Sequence, residues 1–195
     1  MADQKAVASA LVPVQFDGRF MDGVGLMRRM VMGGAVAAAM MVVGPVQAAE
    51  DCPSSYICAS NPQGIVNTLQ TLGYKAVLGK STQSENPKIT SSASGYTFEI
   101  FFYGCDKGAN CNSLGFMATF DKEEGNSAEF ANSWNRDKRF STMSFDPGDG
   151  SLTLSYDVST AGGLNQVNFA DAVSWWETML GQARTYFANR PAVKK

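Results

Sequence analysis

The alternation of apolar and polar positions is clearest toward the C-terminal end. Phe169, Val173, Trp176, Leu180, Ala183 and Phe187 recur at steps of four and three residues. That spacing is one face of an amphipathic helix of about 20 residues, ending near Asn189-Arg190-Pro191. A second apolar line, Ala172, Trp175, Met179, Ala183 and Tyr186, runs beside the first. Consecutive helical residues point about 100° apart, so Trp175 and Trp176 belong to different lines. Two outcomes are open. Either a groove between sheet and helix takes in both lines, or Trp175, Met179 and Tyr186 face outward. An outward stripe would be a candidate interaction surface, because aromatics and Met are enriched at interfaces.

Upstream, Asn61 and Pro62 read as the N-cap and first residue of a helix. Ile65, Val66, Leu69 and Leu72 form its stripe, and Gly73 ends it, so a helix is expected over 62–72. Strands follow. "YKAVLG" (74–79) and "PKITSSA" (87–93) are short. Tyr96, Phe98, Ile100 and Phe102 alternate, as do Leu114, Phe116, Ala118 and Phe120, and Leu152, Leu154, Tyr156 and Val158. Period-2 alternation is the mark of a half-buried strand. "EEGNSAEFANSWNRDKR" turns helical, with Phe130 and Trp134 four apart and Ala128 and Ala131 extending the edge. "RFSTMSFD" is a strand, "DPGDG" (146–150) a turn, and "AGGLNQVN" a loop. The order α-β-β-β-β-α-β-β-α, with short links between strands, predicts a single α+β domain: an antiparallel sheet flanked by helices.

The region before this domain has a different character. From Met27 the chain reads "MRRMVMGGAVAAAMMVVGPVQAAEDC". Arg28 and Arg29 begin it, an uncharged apolar run follows, Gly44-Pro45 breaks it, and "VQA" supplies small residues at a cleavage position. This is the architecture of a secretory signal. The run is short for a bilayer span of about 20 residues. The expected organisation is an upstream extension or long n-region at 1–26, a Sec signal peptide at 27–48 cleaved near Ala48, a leader at 49–60, the folded domain at 61–188 and a tail at 189–195. The mature protein is then expected in the periplasm or secreted, with no membrane association.

Charge and cysteine usage narrow the picture. Of the 16 Lys+Arg and 18 Asp+Glu in the chain, 4 and 3 precede Ala49, which leaves 12 and 15 and a formal net charge of −3. There is no basic block, so nucleic-acid binding is disfavoured. Cys52, Cys58, Cys105 and Cys111 all follow the cleavage point, and an even number in an oxidising compartment reads as disulfides. Each local pair encloses five residues. Zinc sites usually place two to four between paired cysteines, and redox pairs are usually C-x-x-C. Four cysteines allow three connectivities. The two local pairs are expected, Cys105 and Cys111 bracketing a hairpin tip.

The chain has no histidine, which removes Ser-His-Asp triads, Cys-His pairs and His-based zinc sites. Carboxylate chemistry would have to come from Glu99 or from Asp121, Glu123 and Glu124, and a solvated turn accounts for the last three. "DPGDG" lacks the ligand spacing of a calcium loop. No catalytic residues, no metal and no cofactor are expected.

Gly73, Tyr74, Ala76 and Leu78, "FYGC" at 102–105, "SLGFMATFD", "NSWNRDKRF" and the closing aromatic helix together resemble the YbjN-type proteins, described as sensory transduction regulators. The resemblance spans about 61–188. It implies a fold like that of type III secretion chaperones, a twisted antiparallel sheet flanked by helices, with dimers common. It carries no catalytic residues over. The expected function is a non-catalytic periplasmic protein-interaction or regulatory module with a protein partner or a second copy. The alternative is a small-molecule or envelope-glycan binder.

Overall fold

The computed structural model describes residues 52–190. The expectations placed on 1–48, including the signal-like segment, lie outside the described residues, as does the tail beyond Arg190.

The leader forms a two-residue strand β1 (Tyr56–Ile57). Helix α1 (Pro62–Thr71) starts where capping chemistry predicts, with the Gly64 N–H donating to Asn61 Oδ1 at 3.0 Å. Ile65, Val66 and Leu69 are buried, while Leu72 lies just past the helix and stays 40% exposed. Then come β2 (Ala76–Lys80), β3 (Pro87–Ala93), β4 (Tyr96–Tyr103), β5 (Ser113–Phe120), α2 (Ala128–Asp137), β6 (Thr142–Phe145), β7 (Leu152–Ser159), β8 (Leu164–Asn165) and α3 (Gln166–Ala188). The expected α+β order holds, with β1 and β8 added.

Six strands form one antiparallel sheet in the order β2-β3-β4-β5-β7-β6. The alternating residues read from the sequence line its covered face: Phe98, Ile100 and Phe102, Leu114, Phe116 and Ala118, Leu152 and Leu154 are buried. Trp176 of α3 packs edge-on to Phe98, with ring centroids 5.7 Å apart, and tilted on Phe116 at 5.8 Å. Edge-to-face and tilted contacts suit the ring quadrupoles. The opposite face carries mostly Ser and Thr and is open.

β1 pairs with β8, Tyr56 opposite Asn165 and Ile57 opposite Leu164. Both segments read as irregular from sequence, because two residues carry no period. α3 also begins earlier than its apolar pattern does. Asn165 is its N-cap, accepting from the Asn168 N–H at 2.8 Å.

Candidate functional site

The two edges of the sheet differ. In an antiparallel strand the N–H and C=O of one residue point to the same side, alternating along the strand. On β6, Met143 and Phe145 face away from β7, and Asn135 of α2 bonds both the N–H and the C=O of Met143. Among the described residues, that edge is capped at its centre, with Phe145 alone left open on this four-residue strand. On β2, the Ser81 N–H bonds the Asn86 carbonyl inside the β2–β3 connection, so odd-numbered residues face β3 and Ala76, Leu78 and Lys80 face outward. Gln70 of α1 donates to the Ala76 carbonyl at 3.1 Å. Among the described residues, nothing equivalent caps Leu78 or Lys80.

The side chains match this open edge. Val77 is 68% exposed on the open face and Leu78 is 39% exposed on the other. Leu78 borders a groove of about 580 Å³ shared with Pro62, Lys80, Asn86, Cys105 and Lys107. The far wall of the groove is the tip of the β4–β5 hairpin. There Asp106 and Ala109 exchange two backbone bonds at 2.8 and 2.9 Å. Lys107 and Gly108 lie between them at φ of 48° and 79°, the left-handed pair that a tight hairpin turn requires. Asn86 donates to the Phe102 carbonyl at 3.2 Å and holds the β2–β3 connection against this tip.

The cysteines lie at bonding distance as two local disulfides, Cys52–Cys58 in the leader and Cys105–Cys111 across the hairpin tip. Cys105 lines the groove, while Cys58 and Cys111 are buried.

The proposed outward stripe on α3 needs correction. Met179 is buried, and so are Ala172 and Ala183. Tyr186 is half-buried. Its hydroxyl donates to the Phe130 carbonyl at 2.8 Å, and its ring packs on Phe130 at 4.4 Å and Trp134 at 5.3 Å. At Tyr186 the cover is α2, through Phe130 and Trp134. Trp175 alone is exposed, and it stacks on the exposed Phe140 at 4.8 Å.

The carboxylates considered for acid–base work stand apart. Glu99 pairs with Lys88, and Glu123 with Arg190 at 2.6 Å. Asp146 and Asp149 accept from Gly148 and Ser151 N–H groups within the β6–β7 turn; the Ser151 side chain first, and then its N–H, lower the Asp149 pKa. Among the described residues no group of three metal-ligating side chains converges, and no helix is long and apolar enough to cross a membrane.

Sequence reasoning passed over the β2 edge. The signal was present in "AVLGK", two adjacent large apolar residues in a short strand beside a lysine, but the position of that strand in the sheet was not.

An α+β domain with a six-stranded antiparallel sheet covered by helices on one face defines the class structurally. The model of the YbjN family, described as "Putative bacterial sensory transduction regulator", matches residues 61–189. The chain belongs to the YbjN family. Among solved structures it is similar to YbjN from E. coli, at 13% identity and a TM-score of 0.48, covering 66% of this chain and 90% of that one. It is also similar to a chain of the HopA1-SchA chaperone-effector complex, at 7% identity and a TM-score of 0.41, covering 64% and 96%. No curated protein matches it.

Proposed function

We propose that this YbjN-family protein is a non-catalytic, extracytoplasmic module that binds an extended polypeptide segment along β2. The observation that carries the reading is the contrast between the sheet edges: Asn135 caps Met143 at the centre of β6 and leaves Phe145 alone, whereas the consecutive outward residues Leu78 and Lys80 present backbone groups on β2 beside a groove. Such groups are satisfied by another strand, and alternate side-chain pockets then set specificity. Val77 and Leu78 supply apolar contact on the two faces, and the groove beside Leu78 accommodates a partner side chain. Lys80 and Lys107 line the groove with Glu85, which favours a segment flanked by acidic residues. The extracytoplasmic assignment is supported by the signal-like segment and by four cysteines placed after it.

A photo-crosslinking residue at Val77, introduced in the native host, should capture a discrete partner. The Leu78 and Lys80 amides of the isolated protein should exchange rapidly and become protected in that complex. Slow exchange of both amides in the isolated monomer would mean the edge is already covered, and would overturn the reading.

A further inference from the structure

The open face of the sheet holds a constellation that the β2 edge does not use. Tyr103, on β4, lies diagonally across β5. Its ring rests on Gly115: a Cβ at that position would sit 2.7 Å from the ring's Cε2. Glycine inside a strand often marks such a close approach. The ring is fixed at its far end, where the hydroxyl meets Met117 Sδ at 3.7 Å. With its Cε2 edge over the glycine, the residue still leaves 45% of its surface exposed.

Asp157, on β7, is the cross-strand partner of Gly115. Its Oδ1 lies 3.1 Å from the same Cβ position, so carboxylate and ring edge are neighbours. Burial and then the Asp157 charge raise the Tyr103 pKa, which keeps the phenol neutral and its ring a platform. Tyr103, Met117, Asp157 and the hydroxyl residues Ser113, Ser155 and Ser159 line a shallow depression of about 680 Å³. Asp157 is the one charged residue in that lining. No ion pair engages it among the described residues, and the nearest strand-face cation, Lys88, is committed to Glu99.

We infer that this depression binds a guanidinium group, the arginine side chain of a polypeptide partner. A planar cation satisfies both components at once, stacking on the Tyr103 ring while its forked N–H donors engage the Asp157 carboxylate. A compact ammonium would use the charge but not the plane, and a neutral sugar would use the plane but leave the charge without a counterpart. The depression is open and covers only one side of its occupant, which suits a side chain anchored elsewhere rather than a free metabolite. The site lies on a different face and different strands from the β2 edge. It rests on the polypeptide-binding reading only for the source of the arginine.

The test uses the full chain and small probes, so it is independent of events at β2. Backbone amide spectra are titrated with Nα-acetyl-arginine amide, its neutral isostere Nα-acetyl-citrulline amide, free arginine and methyl glucoside. The arginine amide should move the Tyr103, Gly115 and Asp157 amides, binding at least about fivefold more tightly than the citrulline amide. Asp157→Asn should abolish that preference, and Tyr103→Leu should weaken binding with the chain still folded. Binding of free arginine much tighter than the blocked amide would overturn the polypeptide source. Equal effects of arginine and citrulline amides, a comparable response to methyl glucoside at these amides, or shifts elsewhere only would overturn the proposal.

Discussion

Asn135 of α2 serves as a one-residue substitute for a seventh strand at Met143. Its Nδ2 donates to the Met143 carbonyl at 3.0 Å, and its Oδ1 accepts from the Met143 N–H at 2.8 Å. Replacing it with alanine leaves both groups without a protein partner. Asn135→Ala should lower stability by about 1–3 kcal/mol and raise self-association, because an unpaired edge recruits another. Urea melts and sedimentation velocity check the two effects. Asn135→Asp should be no milder in stability, since a carboxylate cannot donate to the carbonyl.

The β2 edge predicts a different outcome. Leu78→Pro removes an outward N–H, which edge strands tolerate. The variant should keep its fold and lose the partner captured at Val77. Retained capture with wild-type yield would place the interaction elsewhere.

Mass mapping of the non-reduced protein should find Cys105 linked to Cys111 and Cys52 to Cys58. Replacing Cys105 and Cys111 with serine should lower the unfolding midpoint without removing the fold, a ring this short being worth about 2 kcal/mol. Four free thiols in native protein would refute the pairing.

The adjacent tryptophans should separate cleanly. Trp176 is fully buried between Phe98 and Phe116, so Trp176→Ala should cost about 3–5 kcal/mol. Trp175 touches Phe140 at the surface, so Trp175→Ala should stay within about 1 kcal/mol. With Met179 buried and Tyr186 packed on α2, it should leave the sedimentation coefficient unchanged. Urea melts of both variants decide it.

Tyr74 couples the start of β2 to α3. Its hydroxyl donates to Glu177 Oε2 at 2.6 Å. Burial, and then that bond and charge, push the phenol from 10.0 up to about 12. A folded-state pKa above the unfolded one means stabilisation is complete below about pH 10 and is lost as pH rises toward about 12. Tyr74→Phe should therefore flatten the fall in the urea midpoint across that alkaline window. An unchanged slope would show that the bond is not maintained.

The core was legible because strands buried on one face print a period of two, and Phe98, Phe116 and Leu154 all obey it. Caps were legible at Asn61 because one side chain satisfies a local donor. Strand order was not: β7 inserts between β5 and β6, and α2 intervenes, so no local pattern records it. The covering of Tyr186 depends on where α2 lies against α3, which is tertiary information. Tyr103 and Asp157 meet only because three strands are in register, and the lone glycine at 115 was the single local hint.

β1 and β8 bear on how the chain reaches its fold. The Ala59 N–H donates to Thr160 Oγ1 across 101 positions at 2.9 Å, and among the described residues β1 pairs only with β8. Closing so long a loop is entropically costly before its contacts form. The leader therefore docks after β7 and the start of α3 exist, making the earliest-synthesised segment of the described fold among the last to settle. A polypeptide emerging N-terminus first must carry that leader undocked until most of its length is available, and Cys52 and Cys58, only six positions apart, can join during that wait.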